Sequence, residues 1–379
     1  MGVIDSLAIY RIAAILGADP FHLGVMSSLW SAAFIAGAFV FGYIGDRYWV
    51  GVLKILSSIL SIFSLSLVLF SSDTVLIIAG YVAHALALSC GRIAISITIL
   101  ESIDPEAWGR INSILRGIYW ILRGLVVYLL LGMGFGDSIV AIMAAISLGL
   151  ILTLPEPYYR RLFYRIEGLL SRIYQGLNGS SLVLITDSWG DIYSSQIITR
   201  LWGGLRDESP LALATSTSLL TLSIELIATP APSALLKDLG KEGVGLYLAI
   251  TSILVGIVSI VTPVSRIQSR ILLAETIMTI SSIALLTTLI ENHWGSGLLA
   301  LLLATASASY QLAELGNYNS YNGLTYGYGS GVYLAVREAG GLVGGILSGI
   351  ITLSLSYQYA LSVAVIVTLA SIVIKIYRA

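Results

Sequence analysis

The sequence predicts an all-α integral membrane protein: twelve membrane-spanning helices in two six-helix bundles, related by a pseudo-twofold axis normal to the membrane. Three observations predict it. The chain is too apolar for water. Its apolar runs have the length of a bilayer crossing and fall six and six around one polar stretch. Its basic residues gather on one side of the resulting topology.

Of 379 residues, 57% are hydrophobic and 11% charged, with a mean hydropathy of +0.91. A soluble domain carries about 25% charge, and a soluble helix needs a polar face that most helical stretches here lack. The expected solvent is the lipid bilayer. A net charge of −1 offers nucleic acid nothing to bind. Cys90 is the lone cysteine, so no internal disulfide forms. His22, His84 and His293 are far apart in sequence, so neither a metal centre nor another cofactor is expected. No G-x-x-x-x-G-K-[ST] loop occurs, which argues against an ATP-driven pump on this chain. Residues 1–16 lack a basic start and contain Asp5 and Arg11, so they do not read as a cleavable signal.

A crossing helix needs about 20 mostly apolar residues. Such runs lie at 3–17, 22–44, 52–71, 74–99, 111–133 and 137–154, then at 211–236, 243–264, 270–290, 296–315, 330–353 and 356–376. The first is short. With both termini in the cytoplasm, the inner loops and tail hold Arg47, Lys54, Arg160, Arg161, Arg266, Arg270 and Arg378, among others. The outer loops hold only Lys237 and Lys241. This is the asymmetry of the positive-inside rule. The chain thus divides into an N-terminal bundle at 1–154, a cytoplasmic linker at 155–209 and a C-terminal bundle at 210–379.

Within the linker, 158–177 (YYRRLFYRIEGLLSRIYQGL) alternates apolar and basic residues at helical spacing. It reads as an amphipathic helix lying on the inner membrane surface or on the protein's own cytoplasmic face. The segment 181–201 is apolar but carries Asp187 and Asp191 in its middle, where a charge at membrane depth costs several kcal/mol. It is not expected to cross. The 316–330 segment (GNYNSYNGLTYGYGS) is uncharged and rich in Asn, Tyr and Gly, and is expected to be a mobile connector between the tenth and eleventh spans.

The two halves carry weak internal likenesses. LGADPFHLG after the first span matches LGKEGVGLY after the seventh, one common shift brings Arg47 onto Arg270, and YWILRGLV in the fifth matches VREAGGLV in the eleventh. Six helices followed by six of the same orientation form a parallel duplication, with the binding site between the bundles.

The loop after the second span reads Gly42-Tyr43-Ile44-Gly45-Asp46-Arg47, with Lys54 following. It resembles the G-x-x-x-D-R-x-G-R-[RK] loop of the major facilitator superfamily at Gly42, Asp46 and Arg47. Trp49 and Val50 replace the usual glycine and basic residue. The segment DPEAWGRINSILRG (104–117) is similar to that family's entry into the fifth span. The resemblance implies that Gly42 permits close helix contact, and that Asp46 and Arg47, with Arg270 at the equivalent place in the second half, form a charged cytoplasmic latch. That second loop keeps the arginine and lacks the aspartate. The G-x-x-x-G-P-x-x-G-G pattern of many proton-driven antiporters is missing from the fifth span.

The resemblance further implies that spans one, four, seven and ten line a cavity flanked by two, five, eight and eleven. Polar residues on those spans become the candidate cavity: Arg11 on span one; His84 and Arg92 on four; Tyr119, Trp120 and Arg123 on five; Glu225 on seven; Tyr310 and Gln311 on ten; Arg337 and Glu338 on eleven. An ionisable group inside a span is a functional candidate by default. Glu225 precedes Pro230 and Pro232, which remove backbone donors. A carboxylate beside a broken helix can bind a proton or cation, or form a structural pair with an arginine of the other half. Asp5 is a second coupling candidate, or lies at the cytoplasmic edge. Arg11, Arg123 and Arg337 present forked donors to an anion, although Asp5, Glu225 and Glu338 nearly balance them. Arg337 and Glu338 are adjacent on a helix and are expected to point apart.

The expected activity is secondary transport of a small solute across the plasma membrane by a monomer, with possible proton coupling and no enzymatic reaction. A sensor or scaffold on a transporter fold would fill its midplane with apolar side chains. A lipid-modifying enzyme would need a nucleophile, a metal or paired acids near the surface, and no such cluster stands out.

Overall fold

The computed structural model describes residues 3–47, 50–102, 108–133, 209–261, 268–291, 296–325 and 330–378, and all regular structure among them is helical. Helix α1 (Val3–Tyr10) passes into a π-helical turn, Arg11–Ile15. Gly17 then leaves the helix at φ 65°, a left-handed conformation that glycine adopts without steric cost. Helix α2 (Pro20–Arg47) opens on proline, and Asp19 Oδ1 accepts the backbone N–H of His22 at 3.0 Å, so the N-cap satisfies an otherwise orphan donor.

Helices α3 (Val50–Phe70), α4 (Thr74–Ser102) and α5 (Trp108–Met133) follow. After residue 208 come α6 (Pro210–Ala228) and α7 (Ala231–Val261), then α8 (Gln268–Glu291), α9 (Ser296–Thr325), α10 (Ser330–Ser354) and α11 (Tyr357–Arg378). The break that Pro230 and Pro232 predict is present between α6 and α7. A second lies inside α7 at Gly240, φ 67° and ψ −173°.

Among the described residues, nine stretches are long and apolar enough to cross a membrane: Pro20–Gly45, Val50–Phe70, Thr74–Ile95, Pro210–Leu236, Gly240–Ile260, Ile271–Leu289, Gly297–Tyr321, Val332–Ser354 and Tyr357–Ile376. Each coincides with a run expected from the sequence. The expected first and fifth spans correspond to α1 with its π turn and to α5. The sixth span at 137–154, the amphipathic stretch 158–177 and the aspartates of 181–201 lie outside the described residues.

The 316–330 connector is corrected: α9 continues helically to Thr325. Asn317 is fully buried and donates to Thr217 Oγ1 at 3.0 Å, and Tyr318 and Tyr321 pack on the buried Tyr333 ring at 5.3 and 5.0 Å. Tertiary contacts of this kind override the poor helix propensity of Gly and Asn.

Helices before residue 134 meet those after 208 along two long seams, α2 against α10 and α5 against α7. Small residues set both. A Cβ added at Gly24 would lie 2.5 Å from the Gly345 carbonyl oxygen, and one at Gly345 would lie 2.6 Å from Ser28 Oγ. A Cβ added at Gly256 on α7 would lie 2.7 Å from the Gly117 carbonyl oxygen on α5. Lipid offers no hydrophobic drive between helices, so close backbone packing of this kind holds them. Large side chains such as Phe63, Phe70, Ile280 and Ile366 are turned outward, as an acyl-chain solvent requires.

Candidate functional site

Three clusters of ionisable side chains occupy the interior. In the first, His84 Nε2 of α4 lies 3.0 Å from Asp5 Oδ1, and Arg123 Nη1 of α5 lies 3.4 Å from Asp5 Oδ2. Arg123 Nε also donates to Ser6 Oγ at 3.0 Å, and its guanidinium stands over the Trp120 ring at 4.6 Å. Asp5 is buried, at 8% exposure. The carboxylate on α1 thus holds both a histidine and an arginine.

The second cluster is centred on Glu314 of α9. Arg337 Nη1 donates to Glu314 Oε1 at 2.9 Å, and Arg116 of α5 pairs with Glu314 Oε2. Arg337 also turns back onto its neighbour: its Nε donates to Glu338 Oε1 at 3.0 Å. The expectation that these adjacent side chains point apart is therefore corrected. The arginine is long enough to curl along its own helix, and at this depth both charges must find partners. Ser31 of α2 donates to Glu338 Oε2 at 3.1 Å.

The third centre is Glu225 on the last turn of α6. Ser27 of α2 donates to Glu225 Oε2 at 2.7 Å, and Thr229 donates to the same oxygen. Among the described residues no cation pairs with it, so the reading of Glu225 as one half of an ion pair with an arginine is corrected. Two hydroxyls do that work, and Arg11, Arg116, Arg123 and Arg337 are engaged elsewhere.

Arg92 of α4 forms no ion pair among the described residues. Its guanidinium lies over the Phe34 ring at 5.4 Å, Arg337 approaches the same ring at 5.7 Å, and Trp30 stacks on it at 5.3 Å. Tyr119 packs edge-on to Trp120 at 5.7 Å, and Tyr310 OH shares a hydrogen bond with Thr221 Oγ1 at 3.0 Å. Gln311 Oε1 is buried without a hydrogen-bond partner. Arg11 is not with these groups. It donates to the carbonyl oxygens of Val68 and Ser71, each at 2.8 Å, and of Leu69, capping the C-terminal end of α3, where helix carbonyls favour a cation.

Of the expected latch residues, Asp46 and Arg47 fall in the last turn of α2 and Arg270 in the first turn of α8. Their side chains lie outside the described residues. Gly42 is corrected: a Cβ there would meet nothing within 4 Å. The close contact falls one turn on, at Gly45, whose added Cβ would lie 2.9 Å from Ile97 Cδ1. Gly45 faces α4 and Gly42 does not.

Residues that sequence reasoning missed include Glu314, Ser27, Ser31, Phe34 and Trp30. Glu314 carried a usable signal. It lies four residues after Tyr310 and so on the same helix face, and it was passed over because the tenth span was ended beside it. The serines have no signature that separates them from the many other interior serines.

The sequence over residues 2–324 matches the family model of the Major Facilitator Superfamily. The chain belongs to the major facilitator superfamily. The superfamily fold recurs in solved structures. One is the nucleoside transporter NupG, with a TM-score of 0.67 and 14% identity, covering 100% of this chain and 96% of that one. Others are the xylose transporter XylE from E. coli (TM-score 0.64, 12% identity, 98% and 96% covered) and the human organic anion transporter MFSD10 (TM-score 0.65, 12% identity, 98% and 96% covered). At such identities the likeness is one of fold. No curated protein matches the sequence. As a superfamily member with many apolar crossing helices, the chain is a multi-pass membrane protein.

Proposed function

We propose that this protein is a secondary transporter that moves a small solute across the plasma membrane by alternating access. Two six-helix bundles, 1–154 and 210–379, rock about a site between them, with 155–209 and both termini in the cytoplasm. It works as a monomer. The observation that carries the reading is where the interior charges lie. Arg116 reaches Glu314, Ser31 reaches Glu338 and Ser27 reaches Glu225, so polar groups from the two halves meet one another and not the acyl chains. Charges at membrane depth are expensive and are kept where a path runs. The glycine seams support the same reading, since backbones in contact through small residues can shift without unlocking large side chains.

Glu225 is the proposed coupling group. It is the interior carboxylate that hydroxyls hold without a cation among the described residues, so taking up a proton breaks no ion pair. Asp5 is a weaker coupling candidate because His84 and Arg123 both hold it. Asp46, Arg47 and Arg270 are proposed to latch the cytoplasmic side.

Uptake into proteoliposomes from a solute panel, with and without an imposed pH gradient, tests the proposal. Solute accumulation that follows the gradient and disappears in Glu225→Gln supports it. Gradient-driven flux unchanged in Glu225→Gln refutes the coupling role, and no flux of any solute refutes the transport reading.

A further inference from the structure

We infer that the solute is a small organic anion and that Arg92 receives its negative group. The inference rests on the transport reading and names the substrate class of the same site. It comes from matching each interior arginine to its partner. Arg116 and Arg337 share Glu314, Arg337 also holds Glu338, and Arg123 holds Asp5. Arg11 is spent on the carbonyls at the end of α3. Arg92 alone among these has neither an acid nor a carbonyl partner among the described residues, and what lies against it is the face of Phe34.

A guanidinium facing an aromatic ring gains about 0.5–2 kcal/mol, less than the cost of holding an arginine at membrane depth. Among the described residues no carboxylate forms an ion pair with it, so an anion has a place there. Its surroundings are selective. Arg337 stands over the same ring but is held by Glu314 and Glu338, so of the two cations on this ring Arg92 is the one without an ion pair among the described residues. Trp30, stacked on Phe34 with its planes tilted by only 20°, carries a buried indole N–H without an acceptor. The site thus offers a planar, forked cation that matches carboxylate or phosphate geometry and a spare indole donor. Glu225 lies on a different helix, held by its hydroxyls.

The test uses the purified full chain in detergent. Thermal unfolding is followed in the presence of benzoate, short monocarboxylates and dicarboxylates, and phenyl phosphate, each beside its neutral amide or alcohol and a matched amine. Stabilisation confined to the anions is expected, and the carboxylate and phosphate arms identify the preferred group. In Arg92→Gln the apparent affinity falls about tenfold or more, the loss of a charge-assisted pair. Arg92→Lys recovers part of it, and both variants remain monodisperse with unfolding temperatures near the parent's. Stabilisation by neutral or cationic members, anion binding undiminished in Arg92→Gln, or no response to any anion overturns the inference. Uptake of a neutral solute by the same preparation leaves the transport reading standing while removing the anion. Anion binding without flux of any solute does the reverse.

Discussion

Arg116 on α5 and Glu314 on α9 form an ion pair whose partners come from opposite sides of the long stretch between residues 134 and 208. Glu314 also holds Arg337, so one carboxylate ties together three helices. Removing one partner of a buried pair leaves an uncompensated charge and costs about 3–5 kcal/mol. Glu314→Gln is expected to lower the thermal unfolding midpoint by several degrees. The double variant Arg116→Gln/Glu314→Gln is expected to recover part of the loss, because Arg337 keeps Glu338. Differential scanning fluorimetry of the parent, Arg116→Gln, Glu314→Gln and the double variant measures the coupling.

Arg11 sits on the carbonyls that end α3. Arg11→Ala removes charge-assisted hydrogen bonds to a helix C-terminus and is expected to destabilise the chain by about 1–2 kcal/mol. The solute concentration for half-maximal uptake is expected to change less than about twofold. A large rise in that concentration with stability intact would return Arg11 to the solute site.

At the α2–α10 seam a side chain has no room at Gly345. Gly345→Val pushes the two helices apart, and the proposed rocking predicts that transport falls about tenfold while the protein still folds. Paired spin labels on α2 and α10 are expected to report a longer distance in the variant.

Asp19 caps α2, outside the crossing segments. The N–H of His22 holds its carboxyl below the usual aspartate range, and the His22 ring adds to this. A carboxyl so depressed contributes stability that is complete above the ordinary aspartate value of about 4 and is lost as pH falls below it. Asp19→Ala is expected to cost about 1 kcal/mol at neutral pH. The difference between parent and variant in thermal unfolding should shrink as the buffer is taken towards pH 3.

The helical framework was legible because its causes are local. Apolar runs of crossing length, Pro230 with Pro232, and Pro20 after Asp19 mark elements and breaks without help from the rest of the chain. The partners of the charges were not legible, because pairing is tertiary. The sequence shows Arg337 beside Glu338 but not that the arginine spans both Glu338 and Glu314. It shows Arg11 on a first span but not that the end of α3 lies within reach. The Asn-Tyr-Gly tract after residue 315 misled for the same reason, since Tyr333 and Thr217, which hold it helical, come from other helices. Gly42 fits the family motif by type, yet which of Gly42 and Gly45 faces a neighbour depends on the rotation of α2.

Where α2 meets α10 between Gly24 and Ser31, the touching surfaces are backbone carbonyls, glycine methylenes and the hydroxyls of Ser28 and Ser31. Separating two such strips bares little hydrocarbon, and the freed hydroxyls and carbonyls hydrate at once. Water can therefore enter this seam without the dewetting penalty that a leucine-lined joint would impose, and the work of parting the helices falls mainly on the hydrogen bonds of Ser28 and Ser31.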